Sequence, residues 1–428
     1  MKKIYFTLFV LVSSLAFSQF TISLNVTEDF TPKEVYTYKL SGSKDILITK
    51  ENRKGNTFTI KVPENYTGML KFYFPQNNVA TSFISENKDV SMRFVTNQGK
   101  VTDIIYLDDS NKTMEEVQGI QRRREDILPA LYQIKDYYKP TSDFAKALDK
   151  EILALSSGHN ADLAKYPFVD YYVKNYDRFL ITSSTNPKIT GDDIITFFSN
   201  SNSMLESSSL MRPLLMDYLQ KYSSGNTELH VDKLLTAVNL ESPRGQTVLS
   251  ELIDIFGAMG MSGLKDKYLT QAKNLKCTIN DRLANTIKVN NNTEVGAQFA
   301  NYVFTSPKNT SAKSIHDVKA DKKVIVFWSS TCSHCETELP QMIPFYSQLK
   351  AKNIEIIGLS LDSDKNSYEN KAKNYPWISD SELKGWYSSS SELYNVHATP
   401  SYFILDSQNK IIDKPDHIAD VLQFLGLK

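Results

Sequence analysis

The first hundred residues of the chain alternate between apolar and polar side chains. The alternation is clearest over 22–26, 58–62 and 90–94, and short segments rich in Gly, Asn or Thr separate such runs. Successive side chains of a strand point to opposite faces, so a period of two indicates strands with one buried face. Short strands with regular turns predict an N-terminal antiparallel β domain over 19–108.

The pattern changes to intervals of three and four from about residue 109. Met114, Val117 and Ile120 then fall on one side of a helix, and similar spacing predicts later helices over 210–222 and 246–256. No period of two and no internal repeat interrupts this part of the chain. We therefore expect a central all-α domain over 109–290.

The last part of the chain, 291–428, mixes both patterns. Continuous apolar runs at 324–328 and 354–359 flank a helical stretch, and such a buried strand, helix, buried strand series is typical of a βαβ unit. A hairpin is expected over 402–412, and Asp416 is expected to cap a final helix. The sequence thus predicts a multidomain protein that ends in an α/β domain.

The N-terminus has the pattern of an export signal. Lys2 and Lys3 precede an apolar run over 4–17, and the small residues Ala16 and Ser18 stand where a signal peptidase reads the chain. We expect a signal peptide over 1–18 and a mature chain in the periplasm without stable membrane insertion. The alternative is an uncleaved anchor that holds the chain to the inner membrane, facing the periplasm.

Composition excludes several classes of protein. The 428 residues carry 49 basic and 49 acidic side chains, so no overall field attracts nucleic acid. The basic run at 122–124 is flanked by acidic residues and indicates a solvated helix face. Three cysteines in a chain of this length cannot form a disulfide framework.

The candidate chemistry lies in Cys332, Ser333, His334 and Cys335, at the expected junction of the first buried strand and the following helix. A helix N-terminus carries partial positive charge and unpaired N–H groups, which favour a thiolate over a thiol. Two cysteines three residues apart can also close a small, easily reduced disulfide ring. His334 would favour the thiolate further when it is protonated or donates a hydrogen bond.

Two structural interpretations compete with a redox pair. A zinc site needs four ligands, but Cys277 is the one further cysteine, and His316, His397 and His417 show no paired spacing. An inert structural disulfide would close almost no loop and would therefore stabilise the chain little. We expect neither a metal nor a cofactor.

The motif and a second segment resemble a known family. The sequence FWSSTCSHC over 327–335, followed by Glu338 and Pro340, is similar to the TlpA/ResA-like thioredoxin family. The segment LYNVHATPSYF over 393–403 resembles that family's loop with a cis-proline. Thr331 departs from the pattern, because the family usually has Trp immediately before its first cysteine. The resemblance covers about the last 130 residues and implies a thioredoxin-like fold there.

The resemblance also implies roles for individual residues. Cys332 matches the attacking thiol and Cys335 the buried, resolving thiol. Pro400 matches the cis-proline, and Thr399 would offer backbone groups to a bound chain. Glu338 matches an acid that could exchange a proton with Cys335, or it could compensate the helix dipole. His334 and Trp328 are expected to tune the pair.

The predicted function is thiol–disulfide exchange on exported proteins that carry disulfides. Resemblance favours reduction supplied by a membrane thiol electron donor, although the same residues could oxidise. One alternative is a non-catalytic binding protein with a vestigial thioredoxin-like domain. Another is a thiol peroxidase, which needs an Arg beside the cysteine, whereas no Arg follows Arg282 in the chain.

Overall fold

The computed structural model of the chain describes residues 20–156, 162–181, 189–223 and 225–427. The expected signal peptide over 1–18 lies outside these ranges. The architecture has the three expected parts: an all-β part, a helical part and a C-terminal α/β domain. None of the helices in the described ranges combines the length and apolar character needed to cross a bilayer.

The β part is a sandwich of two four-stranded sheets, with orders β4-β1-β7-β8 and β3-β2-β5-β6. Its core includes Phe30, whose ring packs edge-on against Phe74 and Phe94 from two different strands. The pairing is antiparallel except that β1 runs parallel to β7, which the local alternation of side chains cannot indicate. The strands are β1 Phe20–Asn25, β2 Glu34–Ser41, β3 Lys44–Asn52, β4 Thr57–Val62, β5 Thr67–Phe74, β6 Val79–Glu86, β7 Val90–Asn97 and β8 Lys100–Tyr106.

The helical part packs its apolar faces around one core. The helix α7 is central, and the run from Gly245 to Phe256 within it is buried throughout. The helices are α1 Asp109–Lys135, α2 Asp143–Ser156, α3 Pro167–Phe179, α4 Gly191–Asn200, α5 Met211–Lys221, α6 Thr227–Ala237, α7 Pro243–Ala258, α8 Ser262–Lys273 and α9 Asp281–Asn291.

The C-terminal part is a five-stranded sheet of order β11-β10-β9-β12-β13, in which β9, β10 and β11 are parallel. Two apolar clusters cover its two faces, and the segment around Phe299 and Ile315 contributes to one of them. The strands are β9 Lys322–Trp328, β10 Ile354–Ser360, β11 Ile378–Ser381, β12 Ser401–Asp406 and β13 Ile411–Asp413. The helices are α10 Ser333–Glu338, α11 Tyr346–Ala351, α12 Lys365–Ala372, α13 Ser389–Leu393 and α14 Ile418–Phe424.

One detail of the sequence prediction is wrong. The residue that caps α14 is His417, whose backbone N–H donates to the Asp420 carboxylate at 3.2 Å. Asp416 lies one residue too early in the chain and is exposed. The helix α14 therefore begins one residue later than a cap at Asp416 would place it.

The β part meets both other parts through specific contacts. Ser43, in the turn between β2 and β3, donates from its N–H and hydroxyl to Glu251 of α7 at 2.8 and 2.6 Å. Glu251 is fully buried and also accepts from Arg282, which donates to Asp254 as well. On the other side, the ring of Tyr73 stacks on Tyr387 of the C-terminal domain, with 4.2 Å between ring centroids. The three parts thus share buried polar and aromatic contacts.

Candidate active site

The two cysteines of the motif lie at the start of α10, directly after β9 and a short loop. Cys332 is the N-cap residue, and the N–H of Cys335 donates to its sulfur at 3.2 Å. Cys332 is half-buried, whereas Cys335 is 1% exposed and packs in the core below. The strand and the helix therefore present one sulfur toward solvent and hold the other inside.

The surroundings shift the pKa values of the two thiols in opposite directions. Partial burial works against ionisation of Cys332, but hydrogen bonds from the Cys335 and Thr399 side chains and from the N–H groups of Cys335 and His334 outweigh it and lower the Cys332 pKa. Burial and the neighbouring Cys332 raise the pKa of Cys335 to about 12. Of the two thiols, Cys332 therefore ionises at the lower pH.

The second motif lies beside the first. The peptide bond between Thr399 and Pro400 is cis, and the carbonyl oxygen of Thr399 lies 3.1 Å from the Cys332 sulfur, from which it accepts a hydrogen bond in the thiol form. The loop leads into β12, which pairs with β9 and so returns to the strand that precedes Cys332. The sheet brings together two motifs that are about 67 residues apart in the chain.

Glu338 is held by the end of the chain. Its carboxylate accepts from the Tyr402 hydroxyl at 3.0 Å and from the N–H of Ile418 at 2.9 Å, and the exposed His417 ring lies 3.5 Å away. The Glu338 side chain is 15% exposed. Its carboxylate thus lies at the N-terminus of α14 rather than at the start of its own helix, between the exposed His417 and the buried Tyr402.

The sequence reasoning missed two residues of this site. Asp362 is 4% exposed, and its carboxylate accepts from the Ser329 hydroxyl at 3.0 Å and from the N–H and hydroxyl of Ser330 at 2.9 and 2.7 Å. It therefore fixes the loop that leads to Cys332. Tyr402 is the other, since a tyrosine in a buried strand gives no sign of a carboxylate partner. An acidic residue at the carboxyl end of a parallel strand next to β9 was the signal that could have indicated Asp362.

The remaining candidates lie around the pair or away from it. His334 and Thr331 are exposed beside Cys332. Trp328 is fully buried in the same core as Cys335 and packs edge-on against Tyr375, with 5.2 Å between ring centroids. Trp328 thus lies in the core that also holds Cys335, whereas His334 lies at the surface.

The candidate zinc ligands do not converge. The Sγ of Cys277 accepts from Gln246 in the helical part, and the Nε2 of His316 lies 2.8 Å from the carbonyl oxygen of Phe299. The Nε2 of His397 lies 2.8 Å from the Asn395 side chain. In the parts of the chain that the structure describes, no group of three or more His, Cys, Asp or Glu side chains is arranged to hold a metal ion.

Comparisons with known proteins agree with this geometry. Residues 321–411 match a family model described as thioredoxin-like. A thiol-disulfide oxidoreductase ResA of Bacillus cereus is 28% identical over 125 residues, which cover 28% of this chain and 69% of the relative. A ResA of Geobacillus kaustophilus is 26% identical over 121 residues, covering 27% of this chain and 66% of the relative.

Solved structures are also similar to parts of the chain. A thioredoxin-like protein from Bacteroides caccae has 15% identity and a TM-score of 0.37, and the match covers 58% of this chain and 99% of that one. The thioredoxin domain of a thiol-disulfide oxidoreductase from Bacteroides vulgatus has 21% identity and a TM-score of 0.28, with 31% and 97% covered. The family match and the ResA relatives confirm the expected kinship: the C-terminal domain is a thioredoxin-like domain of the thiol–disulfide oxidoreductase kind.

Proposed function

We propose that this chain is an exported enzyme that reduces disulfides of extracytoplasmic proteins through Cys332 and Cys335. The observation that carries the proposal is the geometry of the pair at one helix start: a half-buried Cys332 whose sulfur accepts from the Cys335 N–H at 3.2 Å, above a Cys335 that is 1% exposed. The opposite shifts of the two thiol pKa values follow from that geometry. An attacking thiol must be ionised near neutral pH, and a resolving thiol must stay protonated until the mixed disulfide forms. The export rests on the pattern of residues 1–18.

The reaction has two exchange steps. The Cys332 thiolate attacks one sulfur of the substrate disulfide, so that a bond from Cys332 to the substrate forms and the other substrate sulfur leaves as a thiolate and is protonated. Cys335 then loses its proton and attacks the Cys332 sulfur, which releases the second substrate thiol. Two electrons have passed to the substrate, and the enzyme holds a disulfide between Cys332 and Cys335. A membrane thiol donor would then reduce the disulfide between Cys332 and Cys335 through two exchange steps of the same kind, and would itself be oxidised.

The second step needs a base, because the Cys335 pKa of about 12 leaves almost no thiolate at neutral pH. We assign this role to Glu338, which lies one helical turn after Cys335. Its hydrogen bond from Tyr402 fixes the carboxylate in the core, and the neighbouring His417 gives it a route to solvent. Thr399 would bind the backbone of the incoming chain beside Pro400.

Trapping the intermediate tests the exchange reaction. In Cys335→Ser, the mixed disulfide on Cys332 cannot be resolved, so we expect a covalent adduct with a disulfide-bearing protein; in Cys332→Ser we expect none. The adducts would be resolved by non-reducing electrophoresis after alkylation of free thiols. Absence of an adduct in both variants would favour a non-catalytic binding protein instead. Peroxide consumption that depends on Cys332 would favour the peroxidase.

The direction of electron flow is tested by the reduction potential of the pair. A reductase is expected to equilibrate at a potential well below that of the strongest known thiol oxidant, which is about −120 mV. A potential at or above that value would make the chain an oxidant. Equilibration with glutathione buffers, read by the mass of the alkylated chain, measures it.

A further inference from the structure

The segment that follows β11 starts at the same edge of the sheet as the loop that carries the cysteine pair. The strands β9, β10 and β11 are parallel neighbours, and their last residues Trp328, Ser360 and Ser381 lie in one row. Neighbouring strands are about 4.8 Å apart, so this row places Ser381 about 10 Å from Trp328. Cys332 follows the first of these residues closely in the chain, and Trp386 follows the last.

Trp386 differs from the other tryptophans in its exposure. Of the three in the chain, Trp328 and Trp377 are fully buried, whereas Trp386 is 53% exposed. Tryptophan is enriched among the residues that contribute most to protein interfaces. A single exposed apolar side chain is nevertheless common on protein surfaces, so its support by the rest of the fold decides what it can do.

The backbone on both sides of Trp386 is fixed. The residues Gly385–Tyr387 form a short 3₁₀ turn, which begins at Gly385 with a left-handed φ of 55°. The Gly385 N–H donates to the backbone carbonyl of Asp362 at 3.2 Å, and the carbonyl of Trp386 accepts from the Ser391 hydroxyl at 2.8 Å. Because the turn is already ordered, covering the indole costs little conformational entropy.

The turn is connected to the loop before Cys332 through one buried residue. Asp362 accepts from Gly385 with its backbone carbonyl, and its carboxylate accepts from the N–H of Ser330 at 2.9 Å. The position of Trp386 is therefore fixed relative to the loop that leads to the attacking thiol.

The β part supports the turn from its other side. The ring of Tyr387 stacks on Tyr73 of β5, with 19° between the ring planes. The Tyr73 hydroxyl donates to the side chain of Asn78 in the turn between β5 and β6 at 3.2 Å. A Cβ atom at Gly385 would lie 3.7 Å from the Asn78 amide nitrogen, which is an ordinary contact. The β sandwich thus packs against the turn that presents Trp386.

The surroundings of Trp386 favour an apolar partner. The residues beside Cys332 are polar and exposed, namely Thr331, Ser333 and His334. The lysine next to the turn, Lys384, pairs with Glu382 at 3.4 Å, so the charges there are balanced and do not select a charged ligand. Trp386 therefore offers apolar area at an edge where the neighbours of the thiol offer none.

We propose that Trp386 contacts an apolar side chain of the protein substrate, about three residues from the disulfide that Cys332 attacks. An extended chain advances about 3.3–3.6 Å per residue, so three residues span about 10 Å. This inference rests on the proposed function, because the contact serves exchange at Cys332.

Binding of two matched peptides tests the inference without relying on the exchange reaction. Both peptides are extended and carry one cysteine blocked as a methyl disulfide; one has Leu and the other Ser at the third residue on either side of it. Titration of the full-length Cys332→Ser chain, followed by calorimetry, should show about tenfold tighter binding of the Leu peptide, equivalent to about 1.4 kcal/mol. Equal affinities would overturn the inference.

Two variants in the same background locate the effect. Trp386→Ala should bring the ratio of the two affinities close to one. Tyr137→Ala removes another exposed aromatic ring, 83% exposed in the helical part, and should keep the ratio tenfold. A tenfold ratio that survives in Trp386→Ala would contradict the contact.

Acrylamide quenching of fluorescence gives a second measurement of the contact. Because Trp328 and Trp377 are buried, quenching in the Cys332→Ser chain reports mainly on Trp386. Saturation with the Leu peptide should lower the quenching constant, since the indole is then covered. An unchanged constant with the peptide bound would refute the inference.

A separate assay keeps the two proposals distinguishable. The chain with both cysteines is tested for reduction of 2-hydroxyethyl disulfide, which is too small to reach from Cys332 to Trp386. Reduction of this compound without preference for the Leu peptide refutes the contact at Trp386 alone. Preference for the Leu peptide that depends on Trp386, without reduction, supports the contact and contradicts the proposed function.

Discussion

At the scale of single residues, the site depends on one difference between two cysteines that share a helical turn. Cys332 receives hydrogen bonds at the N-terminus of α10, whereas Cys335 is sealed in the core. The spacing of three residues and the preceding apolar run predicted that the two cysteines lie at one helix start, because both signals are local in the chain. The partners of Glu338 were not predictable, since Tyr402 and Ile418 follow it by 64 and 80 residues.

Glu338→Gln tests the proton transfer at this scale. The amide keeps the size of the side chain and can still accept a hydrogen bond, but it cannot take a proton from Cys335. We expect resolution of the mixed disulfide to slow by about 10²-fold while formation of the adduct is little changed. Rapid-quench alkylation separates the two steps.

Glu336→Gln provides the matched control for that variant. Glu336 lies on the same helix but is exposed and pairs with Lys371 at 2.5 Å, so its loss should leave both steps unaltered. Equal slowing in the two variants, or normal resolution in Glu338→Gln, would assign Glu338 only to holding the start of α14.

At the scale of elements, the loop between β9 and α10 is held by a residue from the next strand. Asp362 follows β10 and accepts hydrogen bonds from Ser329, Ser330 and Ser360. The pattern of apolar runs predicted the strands and therefore the edge at which they meet. An acidic residue after β10 marks a candidate at that edge. The apolar pattern could not show that this residue binds Ser329 and Ser330, because side-chain hydrogen bonds between loops have no period along the chain.

Asp362→Ala tests this anchor. The substitution leaves the N–H of Ser330 and nearby hydroxyls without their acceptor in a buried place, which we expect to cost about 2–4 kcal/mol of unfolding free energy. Urea denaturation measures it. Asp364→Ala, at the exposed N-cap of α12, is expected to cost about 1 kcal/mol. Similar losses of unfolding free energy in the two variants would show that Asp362 contributes no more than an ordinary helix cap.

At the scale of the whole molecule, the helical part and the β sandwich meet at a buried cluster of charged side chains. Arg282 is buried and pairs with Glu251 at 3.0 Å and Asp254 at 2.7 Å, and Ser43 of the β part joins the same cluster. The class of each part was predictable from periodicity. The cluster was not, because Ser43 and Glu251 lie 208 residues apart and nothing local marks them as partners.

Arg282→Met tests this cluster between the helical part and the β part. The apolar side chain fills similar space but removes the buried cation, so Glu251 and Asp254 keep only the longer ion pairs with Arg212 at 3.5 Å and Lys44 at 3.9 Å. We therefore expect a loss of about 3 kcal/mol in unfolding free energy. Arg282 helps to hold the pKa of Asp254 below its usual value against the effect of burial, so Asp254 should protonate more readily in the variant, and part of the loss should be recovered at acidic pH. Urea denaturation at pH 7 measures the loss of unfolding free energy, and the same measurement at pH 5 measures its recovery. A loss below about 1 kcal/mol at pH 7 would contradict a structural role for the cluster.

The central claim is that Cys332 ionises at a lower pH than an ordinary cysteine and far more readily than Cys335, and its direct measurement is the pH dependence of alkylation of the reduced chain. The reaction of Cys332 with iodoacetamide should rise with a midpoint below the value of about 8.5 for an ordinary cysteine, because its pKa is lowered. Cys335 should stay unmodified through that range, because its pKa is raised to about 12. Mass spectrometry of the separate peptides distinguishes the two sulfurs. A Cys332 midpoint at or above 8.5, or equal reactivity of both thiols, would contradict the account.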